Sequence, residues 1–446
     1  MGWRDCARTR AKRNHLANHE DTNAVRKSPL LAIFLTIAVD LIGFGIIIPL
    51  QPLYALHFGA NATMVAGLMA AYSLMQLVFS PIWGRLSDRI GRRPVLLFSI
   101  AGNAVALLLM GFAQSYGWLL AARFVAGICT ANIAVANAYI ADVTSFEKRA
   151  KGMGVVGAAF GLGFVIGPFI GGELSHLGYA APAFFAAGLA ACNWIFVLST
   201  LPESLPAEKR HRTQASGWRA RWSMAHASEG ITAIFALVFA QIFAFSMLEA
   251  TFVLFVNRRL GYDVAAAGRV FAYVGIVMAA IQGGLIGRLV GAFGERRVAA
   301  AGLLCVGVGM GLIPVTPAGG HATLVALITL VAAGQGLVTP SLTSFLSKCV
   351  PSRYQGMALG VSQSVSALAR FAGPLIAGAL YDMGSEDTPF FTGGGLILGA
   401  FVGAILALPK KIPAPPLSHS PTNLDASRGS GDSGGLTRSI LPQDFG

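Results

Sequence analysis

The chain has 446 residues, of which 54% are apolar and only 12% charged, whereas soluble domains carry about 25% charge. That balance argues against a soluble enzyme or a soluble binding module and for a chain that lives in lipid. The net charge of +13 does not indicate nucleic acid, because the lysines and arginines are scattered among short polar segments and form no stripe on a polar domain.

Residues 1–28 read as a polar, basic N-terminal tail. They carry Asp5, Glu20 and Asp21 and lack an apolar core, so they are no secretory signal. A helix needs about 20 apolar residues to cross a bilayer. Twelve runs qualify: 30–54, 62–84, 94–113, 117–141, 150–175, 180–201, 231–256, 264–288, 296–315, 321–347, 354–380 and 388–408. The expected fold is an all-α membrane protein with twelve transmembrane helices in two six-helix pseudo-repeat bundles, residues 29–201 and 231–408. A polar, basic linker over 202–230 joins them, and its Trp218 and Trp222 suggest an interfacial helix. The tail over 409–446 is rich in Pro, Ser and Gly and reads as disordered.

Span 1 carries Asp40 near mid-depth, followed by Gly43, Gly45, Pro49 and Pro52. Desolvation makes charge costly there, a property suited to a side chain that takes up and releases a proton. A purely structural hydrogen-bonding role is the alternative. Span 2 adds Tyr72 and Gln76, either facing a cavity or packed. After it comes Gly84-Arg85-Leu86-Ser87-Asp88-Arg89-Ile90-Gly91-Arg92-Arg93-Pro94, read as a short charged loop with glycines for a tight turn. Asp88 can be held by Arg89 or Arg92, and the arginine in turn by Asp142 at the end of span 4. With the start of span 11 near Arg353, such a cluster could latch that side shut; a plain topology anchor is the alternative.

Span 4 places Arg123, Thr130 and Asn137 at intervals of seven, on one helical face. A buried arginine is costly and should face the bundle interior with a partner. Span 5 spaces Gly163, Gly167 and Gly171 every four residues, a flat ridge suited to close helix packing, with Pro168 and Gly172 alongside. Span 7 aligns Gln241, Phe245 and Glu249. Glu249 could bind protons or a cationic substrate, or balance Arg370 of span 11. Gln335, Thr339 and Thr343 make a polar stripe on span 10. Polar stripes on spans 1, 4, 7 and 10 are what a water-accessible central cavity requires.

Twenty-eight of the 33 lysines and arginines fall in the two tails and in the segments after spans 2, 4, 6, 8 and 10. This asymmetry puts both termini in the cytoplasm. The halves echo each other. Gly84 to Gly91 is echoed by Gly287 to Gly294, Arg149 and Gly152-Met153 by Arg353 and Gly356-Met357, and Gly167-Pro168 by Gly373-Pro374. Parallel repeats with a site between them suit a rocking-bundle carrier. The five cysteines, Cys6, Cys129, Cys192, Cys305 and Cys349, share no metal spacing. No metal is expected, and no P-loop for ATP is present.

The charged segment Gly84–Pro94 resembles the signature of the major facilitator superfamily, G-x-L-[AS]-D-R-x-G-R-[RK]-x. Tyr72, Met75-Gln76, Arg123-Phe124-Val125-Ala126-Gly127, Tyr139-Ile140-Ala141-Asp142, Gly163 to Pro168 and Leu201-Pro202-Glu203-Ser204 are similar to bacterial tetracycline-efflux carriers and their wider twelve-span drug:proton antiporter family. The neighbourhoods of Glu249 and Arg370 resemble broader relatives. The resemblance implies that Asp40 and Arg123 serve proton coupling and that Gly163, Gly167, Pro168, Gly171 and Gly172 form the antiporter motif; Glu249, as the second buried carboxylate, is the further candidate for proton coupling. The charge cluster makes Gly84, Asp88, Arg89, Gly91, Arg92 and Asp142 the candidate gating residues, and the polar stripes make Tyr72, Gln76, Asn137, Gln241, Phe245, Gln335, Thr339 and Arg370 the candidate lining of the substrate cavity. The expected function is proton-coupled export of small amphipathic compounds from a bacterial inner membrane. It involves no enzymatic chemistry and no cofactor, the proton is the coupling ion, and the monomer is the working unit. An uptake or facilitative carrier on the same fold, or a transport-dead sensor or scaffold, are the alternatives.

Overall fold

A computed structural model of the chain describes residues 29–130, 132–144, 149–205, 210, 229–350 and 355–408. The N-terminal tail, most of the linker with Trp218 and Trp222, Arg353 and the C-terminal tail lie outside them.

Among the described residues, twelve helices are long and apolar enough to cross a membrane: Pro29–His57, Ala62–Ile90, Arg92–Gly111, Tyr116–Val143, Val156–Leu177, Ala180–Thr200, Gly230–Leu260, Val264–Phe293, Glu295–Val315, His321–Cys349, Met357–Met383 and Thr388–Ala407. They are called spans 1 to 12 below. In the first bundle span 1 packs along span 5, span 3 on span 6 and span 2 on span 4. In the second, span 9 packs on spans 10 and 12 and span 7 on span 11. The bundles meet through two pairs, span 2 against span 11 and span 5 against span 8. Each pair joins the second span of one repeat to the fifth of the other, as two parallel repeats facing each other demand.

Lipid tails are as apolar as the helices, so contact area and hydrogen bonds hold the spans together rather than exclusion from water. Small residues supply the contact. A methyl group placed on Gly167 would lie 2.6 Å from the Ile42 carbonyl oxygen and 2.7 Å from Gly45 Cα. Gly163 meets Leu41 and Gly171 meets Ile46 in the same way. The whole ridge therefore rests on span 1. Asn193 Nδ2 donates to the Thr36 carbonyl at 3.0 Å and ties span 6 to span 1.

Three features differ from the reading of the sequence. First, the charged segment after span 2 is not a loop. The helix continues to Ile90, and the chain turns at Gly91, whose φ of 110° suits glycine. No helix breaker stands between Trp83 and Ile90, and Pro94 falls in the first turn of span 3, where it costs no hydrogen bond. Gly84 is mid-helix. Span 8 likewise runs to Phe293 and turns at Gly294, φ 79°.

Second, span 4 is broken. Its first helix ends at Cys129, Thr130 leaves helical geometry with ψ 69°, and a second helix begins at Asn132. The carbonyls near the break find partners: Trp83 Nε1 donates to Ile128 O at 2.6 Å, Thr130 Oγ1 donates to Ala126 O at 2.5 Å, and Ser99 donates to the Cys129 carbonyl. A membrane helix tolerates a break only when such partners exist. The interval of seven that relates Arg123 to Asn137 is interrupted there. Third, span 8 holds a π-helical segment, Ile281–Leu285, with Gly283 and Gly284 inside its wide turn.

Candidate functional site

Asp40 in span 1 faces a cavity of about 30 Å³ inside the first bundle. Phe44, Tyr72, Asn103, Arg123 and Thr130 share its wall. Asn103 Nδ2 donates to Asp40 Oδ1 at 3.4 Å. Arg123 is 5% exposed, and its guanidinium carbon lies 5.1 Å from the centre of the Tyr72 ring. A desolvated contact of this kind stabilises the cation by up to about 2 kcal/mol. Arg123 Nε is buried with no hydrogen-bond partner, a donor held ready beside the cavity. A water needs roughly 10–15 Å³ of such space, so the cavity admits about two waters and no drug-sized molecule, which needs at least about 300 Å³.

The second bundle brings Glu249 and Arg370 to the same depth. Glu249 lies in electrostatic reach of Arg370 and Arg123, and Tyr72 in reach of Asp40, Arg123 and Arg370. Charged groups of both bundles, Arg123 of the first and Glu249 and Arg370 of the second, are thus within electrostatic reach of one another. Gln241 Nε2 donates to Gln335 Oε1 at 2.6 Å and to Thr339 Oγ1 at 3.1 Å. These three residues form one network between spans 7 and 10, with both glutamines 3% exposed. Phe245 and Gln76 are half-buried one turn from Gln241 and Tyr72 respectively, and Asn137 is half-buried beyond the break in span 4. Asn103 is absent from the sequence reading, although a lone amide in the apolar run of span 3 is the signal that could have revealed it.

The seam is shut on the face opposite the chain ends. Gly172 meets Ala265, Gly268 meets Gly172, and Gly275 meets Phe164 and Val165 where span 5 crosses span 8. Gly378 of span 11 meets Ala62, Thr63 and Ala66 of span 2. Toward the face that carries the chain ends the pairs separate. Gly161 comes no closer than 3.9 Å to Ala279, and Gly157, Gly283, Gly284 and Gly287 have nothing within 4 Å of an added Cβ. Gln51 lies three turns along span 1 on the face of Asp40. It is 1% exposed, and neither of its amide atoms has a partner, which costs about 1–3 kcal/mol.

At the terminal face Arg92 is the hub. Its Nη1 meets Asp88 Oδ1 at 2.5 Å and accepts no competitor from Arg89, which is exposed. Its Nε donates to Asp142 Oδ2 at 3.1 Å and its Nη1 to Ser87 Oγ at 2.7 Å. Glu203 caps the start of span 3, accepting from Arg92 N at 2.8 Å and Arg93 N at 3.1 Å, and Ser204 donates to Asp142. The chain leaving span 6 is thereby fixed to the first bundle. The second bundle has the same device with charges reversed. Glu295 at the start of span 9 pairs with Lys348 at the end of span 10 and accepts from Ser344. Glu295 follows Arg92 by 203 residues, the offset of the glycine echo. Arg92→Gln would leave two partly buried carboxylates without their counter-charge. Its expected cost is about 1–3 kcal/mol, read as a lower unfolding midpoint of the purified protein; an unchanged midpoint would refute it.

Two parallel six-helix repeats, packed second span against fifth, are the architecture of a membrane carrier. The family model of the Major Facilitator Superfamily matches residues 33–286 and 280–428. The chain belongs to that superfamily of transporters. It is 33% identical over 356 residues to the class C tetracycline resistance protein of Escherichia coli, covering 79% of this chain and 89% of that protein. It is 29% identical over 379 residues to multidrug resistance protein 2 of Bacillus subtilis strain 168, covering 84% and 94%. The crystal structure of the human organic anion transporter MFSD10 aligns with a TM-score of 0.66 at 27% identity, over 85% of this chain and 99% of that one.

Proposed function

We propose that the protein exports small amphipathic compounds across a bacterial plasma membrane in exchange for protons, with both termini in the cytoplasm. The observation that carries this reading is the water-sized polar cavity of Asp40, Asn103 and Arg123, set beside a seam that Glu249 and Arg370 face from the other bundle. Asp40 is the proton carrier, and Arg123 supplies the charge that its release requires. Glu249 is the second proton site or the group that attracts a cationic substrate. Tyr72, Gln76, Phe245, Gln241, Gln335 and Thr339 contribute the polar and aromatic wall of the central space. The antiporter motif Gly163 to Gly172 holds span 5 between spans 1 and 8, so movement of one bundle is transmitted to the other. The charge asymmetry supports the orientation, and the bacterial relatives support the membrane. Both walls of the site come from one chain, which makes a monomer sufficient.

A second reading, a carrier of organic anions, is favoured by one feature. When either carboxylate takes a proton, Arg123 and Arg370 leave the centre net positive.

Transport by the purified protein in proteoliposomes tests the proposal. Of the molecules reconstituted with the cytoplasmic face outward, an acidic lumen should drive accumulation of a tetracycline, a cationic dye or an anionic dye, and a protonophore should abolish it. Accumulation driven only by an alkaline lumen, or indifferent to the gradient, would overturn proton-coupled export.

A further inference from the structure

On the closed face two polar contacts cross between the bundles: Arg269 of span 8 pairs with Glu173 of span 5 at 3.4 Å, and a carboxylate of span 11 caps span 2. Asp382, at the last turn of span 11, places its two carboxylate oxygens on the first two amides of span 2. Oδ1 accepts from Ala62 N at 3.1 Å and Oδ2 from Thr63 N at 2.8 Å. Asn61 caps the next amide, its Oδ1 accepting from Met64 N at 2.8 Å. The opening turn of a helix has four amides without partners inside the helix. Here two of them are satisfied by a residue 320 positions away in the other half of the protein. The carboxylate also sits at the positive end of the helix dipole, where negative charge is stabilised. One turn earlier on span 11, Gly378 lets the two backbones approach, with Ala62 O and Thr63 Cα both within 2.9 Å of an added Cβ.

We infer that Asp382 is a latch that holds the face opposite the chain ends shut, and that it is released when the carrier turns to that face. The contact is split between the bundles, so any separation of spans 2 and 11 at that end must break it. Asp382 and Thr63 are exposed even in the closed contact, so water can solvate the carboxylate and both amides when it breaks. The latch is therefore reversible.

The inference rests on alternating access, but its test needs no substrate. In a cysteine-free protein, Ala265→Cys places a thiol in the closed seam at the other helix pair, where Ala265 is 0% exposed and lies against Gly172. The rate at which an impermeant maleimide labels it from the opposite face reports opening. Asp382→Ala should raise that rate roughly three- to tenfold, the range a charged helix cap supplies. Ala62→Pro should raise it in the same direction. It removes one of the two donors, and Asn61 at φ −87° and ψ 178° already has the extended backbone that precedes a proline. Asp382→Glu should restore slow labelling. Wild-type labelling rates in both Asp382→Ala and Ala62→Pro would overturn the latch. Faster labelling in a protein that shows no gradient-driven transport would keep the latch and remove only the proton-export reading.

Discussion

Asp40→Asn should abolish gradient-driven accumulation while leaving the protein inserted and folded. The substitution keeps shape and keeps an acceptor for Asn103, whose amide lies 3.4 Å from Asp40 Oδ1, and it removes the group that can carry a proton. A pH difference of one unit supplies about 1.4 kcal/mol for each coupled proton, equivalent to roughly tenfold accumulation. The wild-type protein should therefore concentrate substrate by up to about that factor per unit of gradient for each proton coupled. The Asn variant should reach equal concentrations on both sides. Downhill exchange should persist, because of the residues proposed for the substrate wall only Tyr72 borders the water-sized cavity. Normal accumulation in Asp40→Asn would make Asp40 structural and move the proton site to Glu249.

Gly167→Leu should have an effect of similar size through packing alone. The added side chain would meet the Ile42 carbonyl and Gly45, both backbone, so no side chain can swing aside to make room. Overpacking of a tight core costs about 1–3 kcal/mol. Relief must come from pushing span 5 off span 1. Span 5 also carries the contacts of Pro168 and Gly172 with span 8, so the displacement reaches the seam between the bundles. The expected protein is inserted in the membrane and leaky or inactive, measured as loss of coupled transport with retained expression. Full coupled activity would show that the ridge tolerates volume and would remove its place in the mechanism.

The two signature segments explain why a charge cluster can persist while a face stands open. Arg92 binds Asp88 and Asp142 within the first bundle, and Glu295 binds Lys348 within the second. Each cluster is complete without the other bundle. Separation at the terminal face therefore leaves no charge stranded, and the bundles can move apart as rigid bodies. The bond from Asp382 to span 2 is of the other kind, since it exists only while the bundles touch.

The twelve spans were readable in the chain because lipid imposes a simple demand. Each crossing needs about 20 apolar residues, and every backbone group must be paired inside its own helix. The pseudo-repeat was readable through the glycine echoes, since close backbone approach restricts the residue that can stand there. The ridge of Gly163, Gly167 and Gly171 was visible from spacing, and so were the isolated charges Asp40, Arg123, Glu249 and Arg370, because ionisable groups are rare in such helices. Tertiary structure decided what those residues face. The break at Thr130 depends on Trp83 and Ser99, which belong to other spans, and no pattern local to span 4 encodes it. The helical continuation through Arg85 and Asp88 was hidden because polarity marks the end of the membrane and not the end of a helix. The pairing of Asp382 with Ala62 and Thr63 joins residues far apart in sequence through backbone amides that any residue type could offer. Side-chain identity leaves no trace of such a contact, and only the approach of spans 2 and 11 creates it.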